Sequence, residues 1–281
     1  MSVPFLHDEL LDSIVDLLRD DTSLLRSCSL LSKSWLPRTR RHLFVEVRLP
    51  TAHDLQSWKT TFPDPFTSPA YYARLLSIGC PQEIVVADAE EGSWLRAFSR
   101  IRKLEVDDHS DINADDDSDI MSTDNDDSGI ESTNDCVEIK STPIVSLVPL
   151  YGLSTVLTSI RIRASTVAPS EIPNIIYSFP HLKDIALFLY GGSAGYNDDH
   201  QQPTTVRFRP SPPFSGSLRL YARKGIYAIA GRLFSLRSDP HFRDLLLALS
   251  EERDFPAAAA LVDSCSSTLE CLQLDHFPHR M

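Results

Sequence analysis

An apolar residue followed, three and five positions later, by two more recurs along this chain. The copies are Ile101/Leu104/Val106, Leu157/Ile160/Ile162, Leu182/Ile185/Leu187, Ser215/Leu218/Leu220, Phe242/Leu245/Leu247 and Leu269/Leu272/Leu274, the one that opens on Ser215 being degenerate. From residue 157 onward, successive copies begin 25, 33, 27 and 27 residues apart. The interval from 101 to 157 is 56, and it falls to 27 when the 29 residues 107–135 are set aside. The closing alternation in each copy is that of a strand with one buried face. Helix-like pieces such as "PSEIPNIIYSF" and "DFPAAAALVDSC" lie between copies. One strand and one helix in each unit of roughly 20–29 residues predicts an α/β fold. Its parallel strands would each bury their inward residues on the next unit.

The segment set aside has its own character. Residues 107–135 hold twelve Asp or Glu and no Lys or Arg, and without them 27 basic residues balance 27 acidic ones. The net charge of −12 is therefore local. With so little to bury, the stretch reads as a disordered acidic insert. The balanced remainder lacks the concentrated basic face that nucleic-acid binding requires. Five cysteines at irregular spacing point to a reducing compartment, cytoplasmic or nuclear. "MSVPFLHDELLDSI" lacks the basic and apolar regions of a signal peptide. The uncharged run 141–160 contains seven Ser or Thr, Pro143, Pro149 and Gly152, which favours a buried unit over a membrane span.

The first 50 residues follow a different period. Leu6, Leu10, Leu11, Ile14, Val15 and Leu18 form one helical stripe, with Asp8 and Glu9 in its first turn. Asp21, Thr22 and Ser23 supply caps for a second stripe: Leu24, Leu25, Cys28, Leu31 and Trp35. Pro37 suits the first turn of a third helix, which would turn Arg38, Arg40 and Arg41 outward and Leu43 and Phe44 inward. "VEVRL" (45–49) alternates as a strand does. Three short helices cannot bury all these leucines among themselves. A patch around Leu6, Leu10, Ile14, Leu30, Leu31 and Trp35 is left either for a partner or for the rest of the chain to cover.

These residues resemble an F-box of the type common in fungi of the mushroom lineage. The family pattern is matched at Leu6, Glu9, Leu10, Ile14, Leu18, Leu24, Leu25, Leu31, Ser32 and Trp35, over about 40 of 281 residues. His7 stands where the family has a proline that opens the first helix and helps seat it. The resemblance implies docking onto the Skp-type adaptor of an SCF cullin–RING ubiquitin ligase. Leu6, Leu10, Ile14, Leu18, Leu24, Leu30, Leu31 and Trp35 would be the adaptor-binding side chains. The later units resemble an irregular leucine-rich repeat that lacks the usual Asn or Cys after each strand; a plain α/β domain is the alternative. A solenoid needs a polar end cap, and none follows the last copy, so the expectation is a covering loop or a truncated product.

Sharper motifs compete less well. "GGSAG" (191–195) matches a nucleophile elbow around Ser193, the basis of a serine-hydrolase alternative. The elbow needs a helix after the serine, and "YNDDHQQPTT" is loop chemistry. Cys265, Cys271, His276 and His279 lack zinc-ligand spacing, and Cys271 is expected to pack as a small apolar residue in a strand. "DNDDSGIESTND" imitates a calcium loop but has no flanking helices. "DSGIES" (127–132) resembles a degron phosphorylated at Ser128 and Ser132.

The expected organisation is an F-box at 3–49, a first α/β segment at 50–106, the acidic insert at 107–140, and a repeat-like α/β domain at 141–281. The expected function is that of a non-enzymatic substrate receptor in an SCF-type ligase, without cofactor or metal. Its partners would be the adaptor, the cullin scaffold and a protein substrate that no motif identifies; no nucleic-acid or membrane contact is expected. An F-box protein in a non-ligase adaptor complex is the closest alternative.

Overall fold

The computed structural model describes residues 7–81, 83–84, 88, 94–107, 150, 153, 155–164, 171–189, 215–222, 226–234, 241–249, 251–252 and 254–276. Among them are eight strands: β1 (Glu46–Leu49), β2 (Leu75–Gly79), β3 (Lys103–Asp107), β4 (Ser159–Ala164), β5 (Asp184–Leu189), β6 (Ser217–Ala222), β7 (Asp244–Leu249) and β8 (Cys271–His276). All are parallel, and they form one sheet in sequence order. Seven helices accompany them: α1 (Asp8–Leu17), α2 (Thr22–Leu31), α3 (Leu36–Leu43), α4 (Ala52–Thr61), α5 (Glu171–Ser178), α6 (Ile226–Phe234) and α7 (Asp254–Ser264). Sequential parallel strands require a crossover of one hand at every step.

Register turns the sequence repeat into a packed row. Leu76, Leu104, Ile160, Ile185, Leu218, Leu245 and Leu272 are cross-strand partners, and so are Ile78, Val106, Ile162, Leu187, Leu220, Leu247 and Leu274. From β2 to β7 both rows are buried in a single core. All six copies read from the sequence fall on strands in equivalent positions. Two further copies went unread. Ala73/Leu76/Ile78 belongs to β2 and Phe44/Val47/Leu49 to β1, and their first residues lie 28 and 29 positions ahead of the next copy. The sheet therefore begins inside the first 49 residues. Asp107 ends β3, so the first residue of the expected acidic insert belongs to the sheet; the rest of the insert, 108–140, lies outside the described residues.

The two ends of the core differ. At β1, Phe44 closes α3 and sets its ring edge-on to Trp58 and Phe62 at 5.8 Å, while Trp58 reaches Phe98 at 5.8 Å. This aromatic cluster fastens the N-terminal helices to the sheet. At β8 the inward pair, Leu272 and Leu274, is 42% and 53% exposed, and among the described residues no strand pairs with the outer edge of β8. Cys271 was expected to pack but is exposed, because it begins β8 on the outward row; Cys265, at the end of α7, is buried instead.

Two glycines respond oppositely to a methyl group. A Cβ on Gly216, just before β6, would lie 1.9 Å from the Lys183 carbonyl oxygen, whereas one on Gly231 in α6 meets nothing within 4 Å. Gly216→Ala must displace backbone and should cost about 2 kcal/mol. Gly231→Ala should gain about 0.5–1 kcal/mol from helix propensity. Thermal melts of the two variants are expected to shift in opposite directions; a shared sign would contradict the packing at β6.

Candidate functional site

The N-terminal helices divide their apolar residues between two surfaces. In α1, Val15 is buried and Leu11 and Leu18 are half-buried. Leu10, Ile14 and Leu17, a turn apart on the adjoining strip, face outward, Leu17 at 84% exposure. In α2, Leu25 and Cys28 are buried, while Leu24 and Leu31 share the outer face and Leu30 is 86% exposed. Asp21 caps α2, accepting the Leu24 N–H at 2.9 Å. The helix ends at Leu31, so the stripe read through to Trp35 breaks there. Trp35 sits in the turn before α3, half-buried beside a cleft of about 340 Å³ that Leu11, Asp12, Val15 and Ser34 also line.

An ion cluster fixes which strip faces outward. The Asp16 carboxylate of α1 accepts from Arg38 Nε at 2.7 Å and from a second Arg38 nitrogen, and it lies 2.7 Å from His42 Nε2. Asp12 stands 3.7 Å from the same guanidinium. Arg38 is thus turned toward α1 rather than outward as expected, because α3 crosses α1 with that face. These contacts rotate Val15 into the bundle and leave Leu10, Ile14 and Leu17 outside. The Arg38 hydrogen bond, then that of His42, holds the Asp16 carboxyl well below the usual carboxylate range.

A depressed folded-state value contributes stability above the unfolded value, near 4, and that stability is lost as pH falls through the folded value. Wild type should therefore melt higher than Asp16→Asn at pH 6, and the gap should narrow below about pH 4. A gap independent of pH would mean that the carboxylate charge does not hold the helices.

Of the side chains expected at the adaptor contact, Leu10, Ile14, Leu24, Leu30 and Leu31 are exposed, and Leu18 and Trp35 are half-buried. Leu6 lies outside the described residues, as do Ser128, Ser132 and Ser193. Leu17 was missed, although its place three residues after Ile14 was legible as a continuation of the outer strip. Among the described residues no helix is long and apolar enough to cross a membrane. Exposed leucines on short helices anchored to a rigid sheet can bury apolar area against a partner, and at about 25 cal/mol per Å² such burial drives association. No protein-family model matches the chain, and no curated protein matches it.

Proposed function

We propose that the chain is an F-box protein that acts as a substrate receptor of an SCF-type cullin–RING ubiquitin ligase. The N-terminal helices would dock on the Skp-type adaptor, and the sheet would hold a protein substrate. The observation that carries the proposal is the row of outward aliphatic side chains, Leu10, Ile14, Leu24 and Leu31, in register with the F-box pattern and left uncovered by the described residues. His7 precedes α1 with φ −61°, a value a proline ring also holds, so the backbone at this position is compatible with the family's proline. Such a protein supplies proximity and orientation to a ligase and needs no catalytic group of its own. The ordered strand-and-helix units fit a divergent leucine-rich solenoid, whose open sheet face is suited to protein recognition. A reducing location, cytoplasm or nucleus, is in keeping with five cysteines at irregular spacing.

The test is affinity purification of the tagged chain with mass spectrometry, with and without a proteasome inhibitor. Adaptor and cullin should both copurify, and substrates should accumulate under inhibition. Adaptor without cullin would point to a non-ligase complex, and neither would reject the assignment.

A further inference from the structure

On the sheet face opposite the core, each central strand has two outward positions beyond its first residue. They are Arg161 and Arg163 on β4, Ala186 and Phe188 on β5, and Arg219 and Tyr221 on β6; on β7 Leu246 shares this face, while Ala248, on the same row, is fully buried. Register places Arg161, Ala186 and Arg219 in one cross-strand row, with Arg163, Phe188 and Tyr221 in the next. Strands lie about 4.8 Å apart, so the two arginines of the first row straddle the Ala186 methyl with roughly 10 Å between their backbones. Phe188 and Tyr221 stack at 4.5 Å with 6° between their planes, and the Arg163 guanidinium lies 5.6 Å from the Phe188 centroid. By register the small residue is the low point of its row, a hollow between the Arg161 and Arg219 positions with the aromatic pair at one end; the Arg161 side chain itself leans toward β3.

The charges in this hollow are incompletely used. Arg161 and Arg163 reach Glu105 and Asp107 on the β3 side at 3.4 Å, which is long for an ion pair. Arg219 is exposed and has no ion-pair partner among the described residues; Asp184 and Asp244 stand on the same face at the strand starts but do not pair with it. The outward rows c-terminal to those starts on β4, β5 and β6 carry three cations and no anion. In a chain of net charge −12 this is a local exception, and a polyanion would find little general attraction elsewhere.

We propose that the Ala186 hollow receives a carboxylate side chain from an acidic segment of a protein partner, and that an adjacent residue of that segment lies on the Phe188–Tyr221 pair. Guanidinium groups match carboxylates in a planar, two-point geometry. Arginine and large aromatics are the residue types that dominate binding energy at protein interfaces. The proposal rests on the receptor function above and adds to it the chemistry of what is recognised.

A fluorescent random copolymer of glutamate and tyrosine, titrated onto the full chain at low salt, tests it. Saturable binding is expected. It should weaken at least tenfold in Arg219→Glu, and equally in Ala186→Leu, which fills the hollow without altering charge. Arg19→Glu, a reversal at an exposed position far along the chain, should have no effect. Thermal melts check folding, and if Ala186→Leu melts lower, Arg219→Glu at its exposed site decides. No binding, or equal weakening by Arg19→Glu, overturns the proposal. So does binding that appears only once residues 108–135 are deleted, since that would give the hollow to the chain's own acidic stretch. Adaptor copurification is measured separately on the same proteins. Its loss with copolymer binding intact would remove the ligase assignment and leave the hollow, and the reverse would do the opposite.

Discussion

Replacing Leu10 and Leu31 together by glutamate should weaken adaptor binding at least 100-fold while leaving the fold in place. Both side chains are exposed, Leu10 at 55% and Leu31 at 71%, so neither substitution opens a cavity. Surface changes of this kind alter stability by about 0.5 kcal/mol or less. At an interface the balance is different. A buried apolar anchor is worth about 2 kcal/mol or more on truncation, and a charge in its place adds a desolvation penalty. Two such losses, combined with less than full additivity, still exceed the roughly 2.8 kcal/mol that a 100-fold change represents. Leu25→Ala is the informative contrast. Leu25 is fully buried, and its truncation should cost about 2–5 kcal/mol of stability. Calorimetric titration with purified Skp-type adaptor, paired with thermal melts, separates the two effects. If Leu10→Glu/Leu31→Glu binds as wild type does, the outer strip is not the docking surface. Trp35 is a poorer probe, because it is half-buried and lines one cleft with Val15 and Leu11.

The second large effect is expected far from that surface. Asp254, the first residue of α7, is fully buried. One carboxylate oxygen accepts the Tyr227 N–H in the first turn of α6 at 3.3 Å, and the other accepts the Glu251 N–H at 3.3 Å. A side chain of one unit thus caps the helix of the unit before it, joining neighbours that strand pairing alone would leave connected only through the sheet. Asp254→Ala removes both acceptors and should cost about 2–3 kcal/mol. For a chain of this size that lowers the melting midpoint by roughly 5–10 °C. Asp254→Asn keeps one acceptor and should lose less than half as much. A midpoint for Asp254→Ala within 2 °C of wild type would show that the cap contributes little.

How far the sequence carried these conclusions depended on range. The strands were legible because each one writes its inward pair two positions apart, and eight such pairs share one register. Ala73 hid one copy, since a single methyl gives a weak apolar signal even though the residue is fully buried. Phe44 hid another, because it also finishes the third helix. The leucines of α1 and α2 were legible as apolar stripes. Which of two adjoining strips turns outward was not, because Arg38 and His42 decide it from 22 and 26 residues away. Asp254 reads as an ordinary first-turn acid, and its partner Tyr227 lies 27 residues earlier. Asp88, buried and accepting the Trp94 and Leu95 N–H groups at 2.7 and 3.1 Å, was equally silent. The Ala186 hollow depends on three strands brought side by side, an arrangement with no local trace.

The docking surface is the claim on which the functional assignment stands, and one measurement addresses it without a cell or a substrate. Hydrogen exchange of the full chain, followed by mass spectrometry with and without purified Skp-type adaptor, reads protection segment by segment. Slowed exchange confined to α1, α2 and the turn at Trp35, with the sheet unchanged, is the predicted result. No protection in residues 8–35, or protection centred on β4 to β7 instead, would contradict it.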